Sequence, residues 1–327
     1  MVAPNFKAGY GPLTELLELV TYKAVSQVSD DPFRQVFWFK FPSALFDLAI
    51  IAALYKYLRV LGLPPERVLI YAWCPLPIFE FWATGHNDAT VVFFLVAALG
   101  CAAASRRNWA FGLLGLAAAA KIWPAMLFPL FVDSWRPGRL IRSAAIFAGT
   151  VVLFGWPYFG DVLENVQFTS GFLGGWRNND LLFGFLLDVT KSVYGSKYLA
   201  FAILGAIVAG VSIARPQLEK GVLTVITCML AISANIHPWY LTWFLPVLAV
   251  FPLSPLFLWT ALMPLTYAVL MDWFALGIWN GSTAIRWYVY VPVLAYWVLL
   301  RTMLKAGLTA NTPSDGSQSH TRTSRHL

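Results

Sequence analysis

Two windows of the chain, VVFFLVAALGCAAA at 91–104 and YLAFAILGAIVAGVSIA at 198–214, run without one charged residue. Such runs approach or reach the ~17–25 apolar residues that a helix needs to cross a bilayer. Lipid offers no hydrogen bonds to a bare backbone, so only helices or a closed barrel can span it. Composition agrees with the helical option. The chain is 59% hydrophobic and 12% charged, about half the charged share of an ordinary soluble domain. Its mean hydropathy is +0.65, and Phe, Trp and Tyr, residues that gather where membrane meets water, supply 16%. The expected fold is all-α, a polytopic membrane protein of about 9–11 transmembrane or re-entrant helices.

Candidate membrane segments fall near 34–56, 66–84, 88–105, 108–120, 122–132, 143–157, 198–214, 219–234, 238–251, 254–271 and 287–303. Together they make a multi-helix transmembrane domain over 34–303. Residues 1–33 carry Leu13, Leu16, Leu17 and Val20 as a helical stripe beside Glu15 and Glu18, which predicts an amphipathic segment lying at the outer interface. The start, MVAPNFKAGYGPL, lacks the basic opening and apolar run of a cleavable signal peptide. The last stretch, 304–327, is rich in Ser and Thr and poor in apolar residues, and is expected to be a disordered cytoplasmic tail. The three cysteines, Cys74, Cys101 and Cys228, stand singly within apolar runs. They form neither metal-ligand spacing nor a disulfide framework and fit small core positions.

A net charge of +7 raises the possibility of nucleic acid, but its distribution points elsewhere. Lys56, Arg59, Arg67, Arg106, Arg107, Arg136, Arg139, Arg142, Arg215, Lys220, Arg301, Lys305, Arg322 and Arg325 lie in alternate connections, opposed only by Glu66, Asp133, Glu219 and Asp315. That asymmetry marks cytoplasmic loops, so no nucleic-acid partner is expected and the C-terminus is cytoplasmic. Both RRN at 106–108 and WRPGR at 135–139 must then lie inside. The run between them is expected to be two short helices turning at Lys121 and Pro124, with Lys121 at the apex towards the outer side. A single kinked span is the alternative.

The outer side then collects the residues able to do chemistry. GHND at 85–88 joins two helices with almost no loop: Gly85 permits the turn, and Asn87 or Asp88 can cap the following helix. Capping alone explains Asp88 but not the adjacent His86, nor Glu80 a turn earlier. Ionisable groups at membrane depth usually face a cavity. His237 opens HPWY, where Trp239 and Tyr240 suit either an aromatic belt or a binding wall, and an imidazole there can hydrogen-bond a phosphate or move a proton. Lys121 interrupts LLGLAAAAKIWPAMLF; it either snorkels to headgroups or meets a lipid-borne phosphate. In GGWRNNDLLFG, the residues Trp176, Arg177, Asn178 and Asp180 match the inventory of a sugar site, although turn chemistry accounts for them equally well. No Asp-x-Asp is present, no metal ligand set or other cofactor is assigned, and dependence on a divalent metal stays open.

These stretches carry a resemblance. YAWCPLPIFEFWATGHNDATVVFFLVAALG, GLLGLAAAAKIWPAMLFPLF, GGWRNNDLLF and HPWYLTWFLPVLA occur in the order found in the GT-C class of membrane glycosyltransferases. The chain resembles most the bacterial polyprenyl-phosphate-mannose-dependent α-mannosyltransferases of the PimE type. The resemblance implies a GT-C-like fold in the cell (inner) membrane. It also implies transfer of a hexose, mannose by that analogy, from a polyprenyl-phosphate donor to a lipid or glycan acceptor at the periplasmic or extracellular face. It assigns Lys121 and His237 to the donor phosphate; on their chemistry His86, Asp88 and His237 are the catalytic candidates, with Asp88 the best remaining base. Asn87, Trp176, Arg177, Asn178, Asp180, Trp239 and Tyr240 fall to sugar or acceptor. Such enzymes usually begin with a further helix and a first outer loop bearing a catalytic Asp, and neither has a counterpart here. The expectation is a start read too late or a degenerate member, with Glu15, Glu18, Asp30 and Asp31 as possible substitutes. A transporter or flippase of lipid-linked sugars is the rival reading; it predicts inverted repeats, and GHND and the Lys121 turn each occur once.

Overall fold

The computed structural model describes residues 10–161, 177–277 and 283–306. The described part is an all-α polytopic membrane protein. Its helices of eight or more residues are α1 (Pro12–Ser26), α2 (Pro32–Phe39), α3 (Phe41–Val60), α4 (Asp88–Ala103), α5 (Arg107–Ala120), α6 (Pro137–Gly155), α7 (Leu181–Thr190), α8 (Val193–Ala214), α9 (Leu218–Ala231), α10 (Ser254–Leu262), α11 (Ala268–Leu276) and α12 (Thr283–Lys305). Five stretches are long and apolar enough to cross a membrane: Pro32–Val60, Pro137–Tyr158, Val193–Ala214, Ser254–Leu276 and Ala284–Lys305. Between them lie shorter or broken helices, as in the segments Pro65–Ala83, Trp123–Phe131 and Pro238–Val250.

The core is built where α3, α4, α5 and α9 meet the broken segments. Leu54, Leu58, Leu95, Leu99, Phe111, Leu114, Ile226, Phe244 and Leu248 are sealed from solvent there. Helix α8 instead turns Phe201 and Ile213 into an open apolar cleft beside the hairpin, a surface suited to lipid tails rather than protein. One carboxylate lies deep among the helices. Asp47 of α3 accepts from the Tyr71 hydroxyl at 2.6 Å and the Trp82 indole at 2.9 Å, so α3 grips the broken segment that leads into GHND.

The chain does reverse at Lys121. Helix α5 ends at Ala120 and Lys121 adopts extended backbone. The following turns fold back until Phe128 rings meet Phe111 at 5.3 Å and Arg107 pairs with Asp133 at 3.5 Å. A straight helix would hold residues 107 and 133 about 39 Å apart at 1.5 Å per residue. The hairpin returns both basic clusters to one end, where Arg215 also donates to the Asp133 carbonyl and the Tyr57 hydroxyl to Glu219.

Helix α1 docks against the opposite end. The Gly11 amide and the Thr14 hydroxyl both donate to the Ala120 carbonyl at 3.0 Å, supplying partners at a helix C-terminus that has none of its own. A Cβ at Gly11 would stand 2.3 Å from the Ala119 oxygen, so only glycine allows this approach. Gly11→Ala should therefore push α1 off α5, costing about 1–3 kcal/mol as an overpacked contact. The expected readout is a lowered unfolding midpoint with faster amide exchange across Pro12–Ser26; unchanged exchange there would refute the docking.

Candidate active site

The site forms where the chain is least regular. After Pro75 and Pro77 a single π turn, Ile78–Ala83, leads into the GHND corner, and wide turns of this kind often mark functional sites. Gly85 takes φ +78°, and a Cβ there would meet Lys40 at 2.7 Å. The Lys40 ammonium donates to the Ala83 carbonyl at 2.6 Å and the Ser43 hydroxyl to Gly85 at 3.1 Å. The start of α3 thus clamps the corner from behind.

Asp88 begins α4 and is wholly buried. Its Oδ1 accepts from Lys121 Nζ at 2.7 Å and from Trp243 Nε1 at 2.5 Å, while Oδ2 is buried with no hydrogen bond among the described residues. Lys121 is held by more than charge. The rings of Tyr10, Tyr240 and Trp243 lie 5.6, 5.2 and 5.2 Å from its Nζ, within the range of cation–π attraction. Trp243 in turn stacks on Trp123 at 4.7 Å.

His86, two positions before Asp88, lies against Trp239 at 4.0 Å, and His237 stacks on the same indole at 4.2 Å. Burial, with His86 and Lys121 nearby, pushes the His237 imidazole down to about 4. It is neutral at physiological pH. Asn178 fixes the strand-like segment that carries it. The Asn178 amide donates to the Ile236 carbonyl at 2.9 Å and lies 3.3 Å from His237 Nδ1, and its backbone pairs with Ala234 and Ile236. Asp180 is gripped by Arg177 at 2.6 Å and Arg286 at 3.3 Å. Asn178 thus ties the loop to the segment that carries His237, and Asp180 ties it to the start of α12. Trp176 lies outside the described residues.

Two participants, Trp243 and Tyr267, had no signal of their own, and the partners of the others were not visible. Glu80 is buried between His86 and Tyr267, and Trp243 reaches Asp88 across 155 positions. Asn87 donates to Glu18 of α1 at 2.9 Å. Glu15, a turn before it, has a buried oxygen without a hydrogen bond, and burial beside Glu18 pushes its carboxyl up to about 7. Of the four acids flagged near the start, Glu15 and Glu18 face this end, whereas Asp31 caps α2. The helical stripe of Leu13 and Leu17 was the visible clue, since it orients Glu15 and Glu18 together. Among the described residues, no group of three or more His, Cys, Asp or Glu side chains is arranged to hold a metal ion.

Breaking a buried pair leaves a charge without its partner and typically costs about 3–5 kcal/mol. Asp88→Asn and Lys121→Met should each lower the unfolding midpoint, and the double variant should be less destabilised than their sum by about 1–3 kcal/mol. Additive losses in a double-mutant cycle would show that the pair does not couple. His237 generates a pH prediction. Its folded value is below that of the unfolded chain, which therefore binds more protons in acid. The stability this group provides is complete above about 6.5 and lost as pH falls towards 4, about 3 kcal/mol in all. Melting midpoints of the wild type should fall over that window, and His237→Gln should flatten the slope.

Comparison with known proteins completes the description. Residues 4–137 match the family model described as alpha-(1->6)-mannopyranosyltransferase, N-terminal domain. Over 113 residues the chain is 36% identical to the polyprenol-phosphate-mannose-dependent alpha-(1-2)-phosphatidylinositol pentamannoside mannosyltransferase of Mycolicibacterium smegmatis. That alignment covers 33% of this chain and 28% of the length of the relative. No solved structure matches. Through the part that carries GHND and Lys121, the chain is thus similar to the mannosyltransferases that its motifs resemble.

Proposed function

We propose that the chain is an integral-membrane mannosyltransferase that takes the sugar from a polyprenyl-phosphate donor and gives it to a lipid or glycan hydroxyl. The observation that carries this reading is Lys121, a cation held at the end of a membrane hairpin by one carboxylate and three aromatic rings. An ammonium has three N–H donors. Asp88 takes one, which leaves donors for the oxygens of a phosphate that departs as the glycosidic bond breaks. His237 assists as a neutral imidazole, and Trp239 and Tyr240 supply ring faces for a sugar. Asn178 and Asp180 serve by keeping that wall in place, while Asn87 is tied to Glu18 at the acceptor side.

Space for a lipid-linked donor begins at the turn that follows the cation. A cleft of about 1040 Å³ starts at Ile122 and Trp123, next to Lys121, and runs between the hairpin and α8 past Met126, Phe201 and Val208 to Arg215. Its lining is almost wholly apolar, as a chain of isoprene units requires. The distribution of Lys and Arg supports a cytoplasmic setting for the basic end beyond Arg215, and with it a site at the outer face of the cell membrane.

The test is mannose transfer from polyprenyl-phosphate-mannose in proteoliposomes. Lys121→Met should lower kcat/KM about a hundredfold or more, the scale on which a charge-stabilising donor acts, and Lys121→Arg should retain part of it. Absence of transfer from this and related polyprenyl-phosphate sugars would sink the proposal.

A further inference from the structure

Transfer to a hydroxyl also needs a group that takes its proton, and the cluster offers several titratable side chains. Asp88 is poorly placed for it, because Lys121 and Trp243 share its Oδ1 and the whole carboxylate is sealed. His237 is buried behind Asn178 and Trp239. Glu18 is engaged by Asn87.

His86 differs from these. Its Nδ1 has two neighbours, Thr84 Oγ1 at 2.6 Å and Glu80 Oε2 at 3.1 Å. A carboxylate only accepts, and the Thr84 hydroxyl already donates to the Glu80 carbonyl at 2.7 Å, so its oxygen is also presented as an acceptor. Nδ1 must then carry the hydrogen, which leaves the lone pair on Nε2. Nε2 has no hydrogen bond to a described residue, and the ring keeps 22% of its side-chain surface exposed, with its plane set by Trp239. Glu80 cannot turn away. It is wholly buried, its other oxygen accepts from Tyr267 at 2.6 Å, and the His86 amide donates to its backbone carbonyl at 2.8 Å. The π turn sets this register.

We propose that Glu80 is the positioning residue for His86, fixing the Nδ1–H tautomer so that Nε2 removes the proton of the acceptor hydroxyl. The proposal rests on the transferase reading above. As Nε2 takes the proton, the hydroxyl oxygen bonds to the anomeric carbon. The bond from that carbon to the phosphate oxygen breaks, and the electron pair leaves with the polyprenyl phosphate beside Lys121. The imidazolium formed is balanced by Glu80 behind it, and returns its proton to water once the product departs. A base oriented by a third group is the arrangement that makes a histidine effective in acyl transfer as well.

Two measurements test this on the full chain in nanodiscs. Nitrogen NMR of histidine-labelled protein, with His86→Ala to assign the signal, should show His86 protonated at Nδ1 and unprotonated at Nε2 in the neutral ring. Glu80→Gln, whose amide can also donate, should mix the tautomers. A neutral Nε2–H ring in the wild type, or a tautomer unmoved by Glu80→Gln, would overturn the positioning role whether or not transfer is observed. In the transfer assay, His86→Ala should lose about a hundredfold in kcat with little change in KM for the donor, and added imidazole should restore part of the rate. Glu80→Gln should lose about tenfold in kcat with the donor KM likewise held. Loss of transfer in Glu15→Gln alongside an active His86→Ala would move the base to α1 and refute the assignment. A wild type silent with every polyprenyl-phosphate sugar would remove the transferase reading, and the base with it, while the tautomer result would stand alone.

Discussion

The ion pair between Asp88 and Lys121 organises this end of the molecule. Two charges this deep are stable only if each meets the other and further partners, because desolvation otherwise exceeds their attraction. Here the backbone helps both. Asp88 stands at the N-terminus of α4 and Lys121 at the C-terminus of α5, so each charge faces the helix end of opposite partial charge. Trp243 takes up part of the carboxylate, and the rings around Nζ replace some of the water the ammonium gave up. Once this pair closes, the end of the hairpin, the GHND corner and the segment from His237 to Trp243 have fixed positions relative to one another.

Those positions were partly legible from sequence, for a physical reason. GHND and Lys121 are charged breaks in otherwise apolar runs, and the distribution of Lys and Arg favoured two short helices over a single kinked span across 108–132. Both signals are local or additive along the chain. The pairings were not. Asn87 meets Glu18 across 69 positions, His86 meets Glu80 through a π turn, and Tyr267 reaches Glu80 across 187. Nothing in a local pattern distinguishes Trp243, which bonds to Asp88, from the other indoles of an aromatic-rich chain. Composition was least informative at Arg177–Asp180. Amides and acids suit a sugar and suit a structural strut equally, and only the Ile236 carbonyl and the two arginines around Asp180 show which bonds are made in this structure.

The site has two unlike walls. Glu15, Glu18, Glu80, His86, Asp88 and Lys121 fall within residues 4–137, the part that matches the mannopyranosyltransferase family model. His237, Trp239, Tyr240, Trp243 and Tyr267 lie beyond it. The first wall holds the carboxylates and the caged ammonium, and the second supplies rings and a neutral imidazole. Ring faces and neutral donors meet a sugar without repelling either a phosphate or a carboxylate, so in the proposed reaction the second wall suits the sugar while the charges stay opposite.

That division also separates the two ends of the proposed reaction. The turn that follows Lys121 leads into the apolar cleft along α8, while Asn87 bonds to Glu18 of α1, a turn away from Glu15. A donor arriving from the lipid side meets the cation first, and an acceptor has to approach past the carboxylates. Phosphate oxygens and carboxylates repel one another, so the acidic side disfavours a donor bound the wrong way round. In the proposed reaction, the arrangement of charge more than the shape of the pocket would therefore set the direction in which sugar passes.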